Sequence, residues 1–311
     1  MFSSRAAVLT TLLALTCAIE AYSFPTDHLA LARLCLHSAS SPLFRNFARI
    51  SREENNMGAS TSKAAKRVER AEKTGVLALR DEGLAELPSR VFKIANLRVL
   101  DLTNNKLKKL PDGLGRCAML HSLTLDSNGL KALPDELCML TKLELLSAAH
   151  NLLEALPANL GALTKLKKLL LAANGLQALP ESMSSCGNLA ALDMRNNRLT
   201  TLPAGFGALA ALTEANFQCN NLVSPLPDGL GGLRRLKVLD VRDNDALRAL
   251  PVELVRDTPL CNLMVGPALT APDGQLIEME GRDAYIERRK ARIEKEMHAK
   301  QGGGEVHFSA T

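Results

Sequence analysis

One short stretch of the 311-residue sequence has residue types at a spacing that supports a defined reaction. Residues Met57 to Lys63 read MGASTSK, which has the Met-Gly start, the Ser at the sixth position and the following Lys of an N-myristoylation acceptor. The fatty acyl group forms an amide with the free amine of a glycine, so Gly58 would have to be the first residue of the processed chain. The sequence places 56 residues before Met57, and the reaction therefore requires a chain that begins at this point.

The remaining sequence carries no pattern of an enzyme or of a metal site. It has no GxGxxG, P-loop, GxSxG or HExxH motif, and its six histidines show no ligand spacing with cysteines or carboxylates. Its seven cysteines form no CxxC pair and no clusters like those of the disulfide-bonded caps of secreted repeat proteins, which favours a reducing compartment. We therefore expect a non-enzymatic chain with no catalytic residues, no cofactor and no metal.

Composition indicates a leucine-filled core and a mild overall charge. Hydrophobic residues make up 46% of the chain, but aromatic residues make up only 3%, and Trp is absent. Stacked small repeats have this composition more often than sandwiches or barrels do. The net charge of +5 is too small to indicate nucleic-acid binding, and the one concentrated surplus of positive charge lies in residues 62–73, SKAAKRVERAEK.

A repeat of 23 residues occupies the middle of the chain. The pattern LxxLxLxxNxLxxLP begins at Leu97 and recurs with the same spacing until one extra residue precedes Leu236. Leucines of the LxL step lie on one face of a short strand, which only a neighbouring coil can bury. The recurring asparagine is expected to bond backbone groups at a bend, as a ladder formed by Asn105, Asn128, Asn151, Asn174, Asn197, Asn220 and Asn244.

These motifs resemble the leucine-rich repeat. The resemblance implies an α/β solenoid, a leucine-rich-repeat horseshoe with a parallel β-sheet on its concave face and helical caps at both ends. The MG start, the short basic helix, the 23-residue repeats and a closing segment MEGRDAYIERR together look like a family of small intracellular leucine-rich-repeat proteins. They are also similar to the repeats of Ras-group scaffold and suppressor proteins, which implies a non-enzymatic adaptor.

We predict five segments along the chain. Residues 1–56 form an N-terminal extension, and residues 57–75 carry the myristoylation-type start and a basic capping helix. Residues 76–265 form about eight repeats of 23–24 residues, and residues 266–299 form a loop and a C-terminal capping helix. In that helix, Tyr285, Ile286, Ile293 and Met297 are expected to cover the last coil. Residues 300–311 are expected to form a flexible tail.

The extension leaves three alternatives open. It resembles a secretory signal peptide, with Arg5, an apolar run from Ala6 to Ile19 and small residues at Ala21 and Ser23, followed by a transit-like segment. It is therefore a targeting presequence for a plastid or the secretory pathway, a segment missing from the working protein, or an uncleaved extension. The first predicts an imported or secreted recognition protein; the second predicts a cytoplasmic protein, attached to membranes when Gly58 is acylated.

The strand positions that flank the buried leucines are expected to face solvent and to bind a protein partner on the concave face. The middle of this surface is apolar or small and its two ends are polar, as in protein-binding surfaces. We expect a monomer that binds a protein partner, with an anionic membrane surface as a second partner and no nucleic acid. The candidate binding residues are Asp101, Thr103, Thr124, Asp126, Leu145, Ser147, Lys168, Leu170, Asp193, Arg195, Glu214, Asn216, Asp240 and Arg242.

Overall fold

A single parallel sheet runs through the repeats in the computed structural model, which describes residues 66–271 and 276–301. Within these residues, nine strands of three residues each lie in chain order, and each pairs with the next. The register joins equivalent residues of successive repeats, such as Leu100 with Leu123 and Leu146 with Leu169. Strands β1 to β9 are Val76–Ala78, Val99–Asp101, Ser122–Thr124, Leu145–Ser147, Lys168–Leu170, Ala191–Asp193, Glu214–Asn216, Val238–Asp240 and Asn262–Met264.

The LxL step divides the sheet into a buried face and an accessible face. Leu100 and Leu102 are fully buried, while Asp101 between them lies on the opposite face. Each buried leucine contributes about 1.5–3 kcal/mol relative to an exposed one, but only when the next coil covers it. The accessible face is the one on which the candidate binding residues lie, and we call it the concave face.

Short 3₁₀ helices line the side of the solenoid opposite the sheet. Most of them begin directly after the proline of the LP step, where proline's missing N–H interrupts no sheet hydrogen bond. Leu137 and Met183 on these segments are fully buried and complete the core from this side. The 3₁₀ segments are Ser89–Lys93, Asp112–Arg116, Asp135–Met139, Leu160–Ala162, Glu181–Ser185, Ala204–Ala208, Leu230–Gly232 and Pro267–Leu269.

Seven asparagines join each coil to the one before it. In every case the side-chain Oδ1 accepts the N–H of a residue in the preceding coil, at 2.9–3.1 Å. Each Nδ2 donates to three carbonyls; for Asn151 these belong to Leu125, Ala148 and Ala149. The side chain thus satisfies backbone groups that have no ladder partner at the bend. The ladder comprises Asn105, Asn128, Asn151, Asn174, Asn197, Asn220 and Asn244.

The one-residue insertion after Asn220 does not interrupt the sheet. Ala215 of β7 pairs with Leu239 of β8, a spacing of 24 residues, and the register continues into β9. The Ser224–Pro225 peptide bond within the lengthened coil is cis. The extra residue is therefore absorbed in the coil between the strands.

A helix lies at the N-terminal end of the solenoid. Helix α1 occupies 66–74 of the described residues, and its Val68 and Ala71 are buried against the first coil. Gly75 ends it with φ +71°, where an added Cβ would lie 2.6 Å from the carbonyl oxygen of Asn96. The MGASTSK stretch with Gly58 lies outside the described residues, as does the extension 1–56.

Two helices lie near the other end, one between β8 and β9 and one after β9, and one prediction about the second is wrong. Helix α2 spans Val252–Asp257 and helix α3 spans Arg282–Gln301. Tyr285 is buried and Ile286 packs against the core, as expected. Ile293 and Met297 were expected to cover the last coil, but they are 46% and 51% exposed. Contact with the coil is made by the first half of α3, so its later turns have no surface to cover.

Arginine side chains attach α3 to the last coil. Arg288 Nε donates to the carbonyl of Leu260 at 3.0 Å, and its guanidinium also donates to the carbonyls of Val255 and Arg256. The carbonyls of Val255 and Arg256 belong to the last turn of α2, where no intrahelical donor is available. Partial burial lowers the pKa of Arg288 from its usual value.

Candidate functional site: the concave face

The candidate binding residues lie on the concave face, but two of them are not accessible. Lys168, Arg195, Glu214 and Arg242 are exposed. Ser147 and Asp240 were expected to face solvent and are only 4% and 2% exposed. The remaining eight are partly buried: Asp101, Thr103, Thr124, Asp126, Leu145, Leu170, Asp193 and Asn216.

Ser147 and Asp240 are covered because a neighbouring side chain folds over each of them. The Ser147 hydroxyl donates to Asp126 Oδ1 at 2.6 Å. Asp240 accepts from Arg242, whose Nη2 lies 2.7 Å from Oδ2, so the guanidinium covers the carboxylate. Direct contact between these two residues and a partner would first require the covering side chain to move.

The carboxylates of the concave face also satisfy the backbone. Asp101, Asp193 and Asp240 each accept the N–H of the residue two positions later, at 3.1, 3.2 and 3.1 Å. Asn216 does the same for Gln218 at 3.0 Å. This is an Asx-turn, in which a short polar side chain bonds the backbone where the strand ends. The recurrence of Asp or Asn at one strand position was the sequence signal for this role, which sequence reasoning missed.

Arginines that follow the strand ends pair with these carboxylates. Arg195 Nε lies 3.3 Å from Asp193 Oδ2, and Arg80 pairs with Asp101 of the neighbouring strand. Hydrogen bonds to Asp240 raise the pKa of Arg242. At the bend that follows β8, hydrogen bonds from Gln218 and Cys219 lower the pKa of Asp243. The exposed ionic side chains of this region are thus mostly paired.

A shallow hollow lies on the concave face between β5 and β9. Its volume is about 250 Å³. Apolar side chains form much of its floor, and three carboxylates lie around them. The lining residues are Leu170, Ala191, Leu192, Asp193, Glu214, Ala215, Asn216, Val238, Asp240 and Met264. Sequence reasoning named the polar members of this set, but it missed Met264 of β9, which lies outside the regular repeat pattern.

A second, more open hollow of about 590 Å³ lies at the N-terminal end of the sheet. It is lined by Arg67, Arg70 and Arg80 together with Asp81 and small residues. Arg67 Nη1 lies 2.7 Å from a carboxylate oxygen of Glu82, the residue that takes the ladder asparagine's place in the first repeat. An acidic residue fits there because a helix, and not another coil, precedes it.

A row of left-handed residues marks the rim beside the asparagine ladder. Eight non-glycine residues have φ between 53° and 58°, among them His150 and Ala173. Each directly precedes the ladder position of its repeat, and the repeat pattern did not predict this conformation. The exposed His150 is held there by backbone geometry that it shares with the equivalent residues of the other repeats.

The described residues contain no group of three or more His, Cys, Asp or Glu side chains that could hold a metal ion. Cys117 and Cys186 are buried at a position that other repeats fill with leucine, and burial raises the pKa of the Cys186 thiol to about 11. No helix in the described ranges has the length and apolar character needed to span a membrane.

Comparisons with known proteins agree with this geometry. Two family models, both described as leucine-rich repeat, match residues 75–130 and 188–209. No curated protein matches the chain by sequence. The fold is therefore the leucine-rich-repeat solenoid, as the sequence predicted, with helices at both ends, and solenoids of this kind generally act as protein-binding scaffolds.

Three solved structures are similar to the chain. A leucine-rich-repeat protein of Leptospira interrogans is 28% identical with a TM-score of 0.60, over 69% of this chain and 52% of that protein. The plant peptide hormone receptor RGFR1, in complex with RGF2, is 26% identical with a TM-score of 0.56, over 61% and 32%. The Arabidopsis thaliana receptor kinase ectodomain GASSHO1/SCHENGEN3, in complex with CASPARIAN STRIP INTEGRITY FACTOR 2, is 29% identical with a TM-score of 0.51, over 58% and 22%. This chain spans about half or less of each of these proteins.

Proposed function

We propose that the chain is a non-enzymatic adaptor that binds a segment of a protein partner on its concave face. The observation that carries the proposal is the hollow between β5 and β9, where an apolar floor is surrounded by polar groups. Interfaces of moderate affinity have this arrangement of an apolar centre and a polar rim. The two plant receptors support it, since their structures hold peptides or protein factors in complex.

Substitution of Leu145 and Leu170 tests this proposal. Both lie on the concave face of adjacent strands, while Leu146 and Leu169, their neighbours in sequence, are fully buried. The double change Leu145→Glu and Leu170→Glu places charge in the apolar centre without touching the core. We expect it to lower partner affinity at least tenfold, since the centre of an interface carries most of its binding energy.

The assay is affinity purification from extracts of the cells that express the chain. It compares the proteins retained by the wild type, by the Leu145/Leu170 variant and by a control variant. A matched control carries Met139→Glu and Leu152→Glu, which are 64% and 57% exposed and lie outside the sheet. Proteins that the wild type and the control retain, and that the Leu145/Leu170 variant loses, are partners of the concave face. An unchanged set of bound proteins, with circular dichroism showing all three chains folded, would refute the proposal.

We further propose that chains beginning at Gly58 attach to anionic membranes through a myristoyl group and the basic residues behind it. The support is the MGASTSK stretch and the exposed Lys66, Arg70 and Lys73 of α1. One myristoyl chain binds membranes only marginally, with K of about 10⁴ M⁻¹. A surplus of three positive charges, at about 1 kcal/mol each before acidic neighbours are discounted, would raise this about a hundredfold.

Intact-mass and N-terminal analysis of the endogenous protein tests the attachment. A chain that begins at an acylated Gly58 supports it. A chain that begins between Tyr22 and Asn56 excludes it and favours the alternative, an imported or secreted recognition protein that uses the same concave face.

A further inference from the structure

We propose that the hollow between β5 and β9 accepts one basic side chain of the partner, Lys or Arg, beside an apolar one, and that Glu214 receives the basic group. The inference rests on the proposed function, since it names the chemistry of the segment that the concave face binds. It follows from how the charges of the hollow are compensated, from the apolar floor and from the size of the space.

Two of the three carboxylates in the hollow already have a cation. Asp193 is paired with Arg195 at 3.3 Å, and Asp240 is paired with Arg242 at 2.7 Å with its side chain only 3% exposed. Each arginine lies two residues after its carboxylate in sequence, so both pairs are local and remain in place without a partner. A basic group of the partner would have to displace an arginine to reach either of them.

Glu214 is the carboxylate that remains. Its side chain is exposed, and within the described residues its carboxylate has no hydrogen bond and no ion pair. Lys168 occupies the same strand position two strands away, which the usual strand spacing places about 10 Å from it. No ion pair joins the two side chains within the described residues, so one negative charge at the edge of the hollow is available to a cation from outside.

The floor of the hollow fits the stem of such a side chain. Ala191 and Val238 flank Glu214 on the two neighbouring strands, and Leu170 and Met264 add apolar surface elsewhere in the hollow. Lysine and arginine bury their methylene stems along apolar surface while their charged ends stay hydrated or paired. The volume of about 250 Å³ is below the range of roughly 300–1,000 Å³ typical of small-molecule sites, so it suits side chains better than a cofactor.

The two arginines also give the bound segment a preferred orientation. Arg195 and Arg242 are exposed and lie two residues beyond the C-terminal ends of β6 and β8, whereas Glu214 is the first residue of β7. A cation placed beside them would be repelled, whereas carbonyl or acidic groups would be attracted. The segment is therefore expected to present its basic residue toward Glu214 and its polar or acidic groups toward the arginine row.

The experiment uses two fluorescein-labelled decapeptide libraries and the full-length protein. Both have a fixed central pair, Leu-Lys in one and Leu-Glu in the other, with Ala, Ser, Gly and Asn mixed at the other positions. Fluorescence anisotropy measures binding to each library at two salt concentrations. We expect the Leu-Lys library to bind more tightly, with a preference that weakens as salt rises, because the pair is exposed to solvent.

Variants assign the preference to Glu214. Glu214→Gln should lower the affinity for the Leu-Lys library about two- to fivefold, and Glu214→Lys should reverse the preference. Glu154→Gln removes an exposed carboxylate outside the sheet and should change neither affinity. The inference is overturned if neither library binds, if the two bind equally, or if Glu214→Gln behaves like Glu154→Gln.

Failure of the inference is distinguishable from failure of the proposed function. If the Leu145/Leu170 variant loses its partners while the peptide libraries show no preference, the concave face binds a segment of different chemistry. If that variant keeps every partner, the proposed function itself is wrong.

Discussion

Replacing one ladder asparagine tests what holds successive coils together. Asn220 is 5% exposed, and its Nδ2 donates to the carbonyls of Met194, Phe217 and Gln218 at 2.9, 3.0 and 3.3 Å. Its Oδ1 accepts the N–H of Leu199 at 3.0 Å. The change Asn220→Ala removes all four bonds and leaves the N–H of Leu199 buried without a partner.

The expected loss follows from those four bonds. A net contribution of about 1 kcal/mol for each bond, with a somewhat larger penalty for the stranded N–H, gives about 3–5 kcal/mol. Asn221→Ala is the matched control, because Asn221 is exposed and its backbone N–H bond to Leu199 is retained in alanine. We expect the control to change the free energy of unfolding by less than about 0.5 kcal/mol.

Urea unfolding followed by far-ultraviolet circular dichroism measures the difference, since the chain has no Trp to report by fluorescence. Amide hydrogen exchange of Leu199 gives a local readout, because repeat arrays can open coil by coil. The reasoning is refuted if Asn220→Ala costs less than about 1 kcal/mol, or if Leu199 exchanges no faster than in the Asn221→Ala control.

Two further predictions concern packing and ionisation in the core. Gly161→Ala should cost about 1–3 kcal/mol or more in urea unfolding, because its Cβ would lie 2.0 Å from the carbonyl oxygen of Ser182. Gly187→Ala, which has nothing within 4 Å of its Cβ, should be nearly neutral, and equal effects would contradict the described coil packing. Burial raises the pKa of Cys186 from 9.0 to about 11, so the fold favours the neutral thiol and stability should fall between pH 9 and pH 11, by about 2–3 kcal/mol. Cys186→Ala should flatten this decline, and a decline unchanged by the substitution would show that the thiol does not cause it.

The repeat architecture was predictable because its signals are local in sequence. The spacing of Leu100 and Leu102 determines which face of a strand is buried, and the same spacing in each repeat sets the register of the sheet. The closing helix was also predictable in position, but the coverage of the last coil by Ile293 and Met297 was not. Helical spacing shows which side chains share a face, whereas the length of the surface beneath them depends on where the solenoid ends.

The candidate site was predictable only in outline. Strand alternation placed Ser147 and Asp240 on the concave face, but it gave no information about the side chains that cover them. Asp126 reaches Ser147 from the neighbouring coil, and Arg242 folds back over Asp240. Such contacts depend on side-chain rotamers and, for Ser147, on a residue 21 positions away, which a repeat pattern does not specify.

The sequence by itself determined the period, the buried leucines and the positions of the bends, because each arises from the chain's own alternation and turn preferences. The tertiary structure decided which charges on the concave face remain available. Asp193 and Asp240, the third residues of β6 and β8, are compensated by arginines, and Glu214, the first residue of β7, is not. The physical reason is that compensation depends on distances between side chains, which exist only after the coils have stacked.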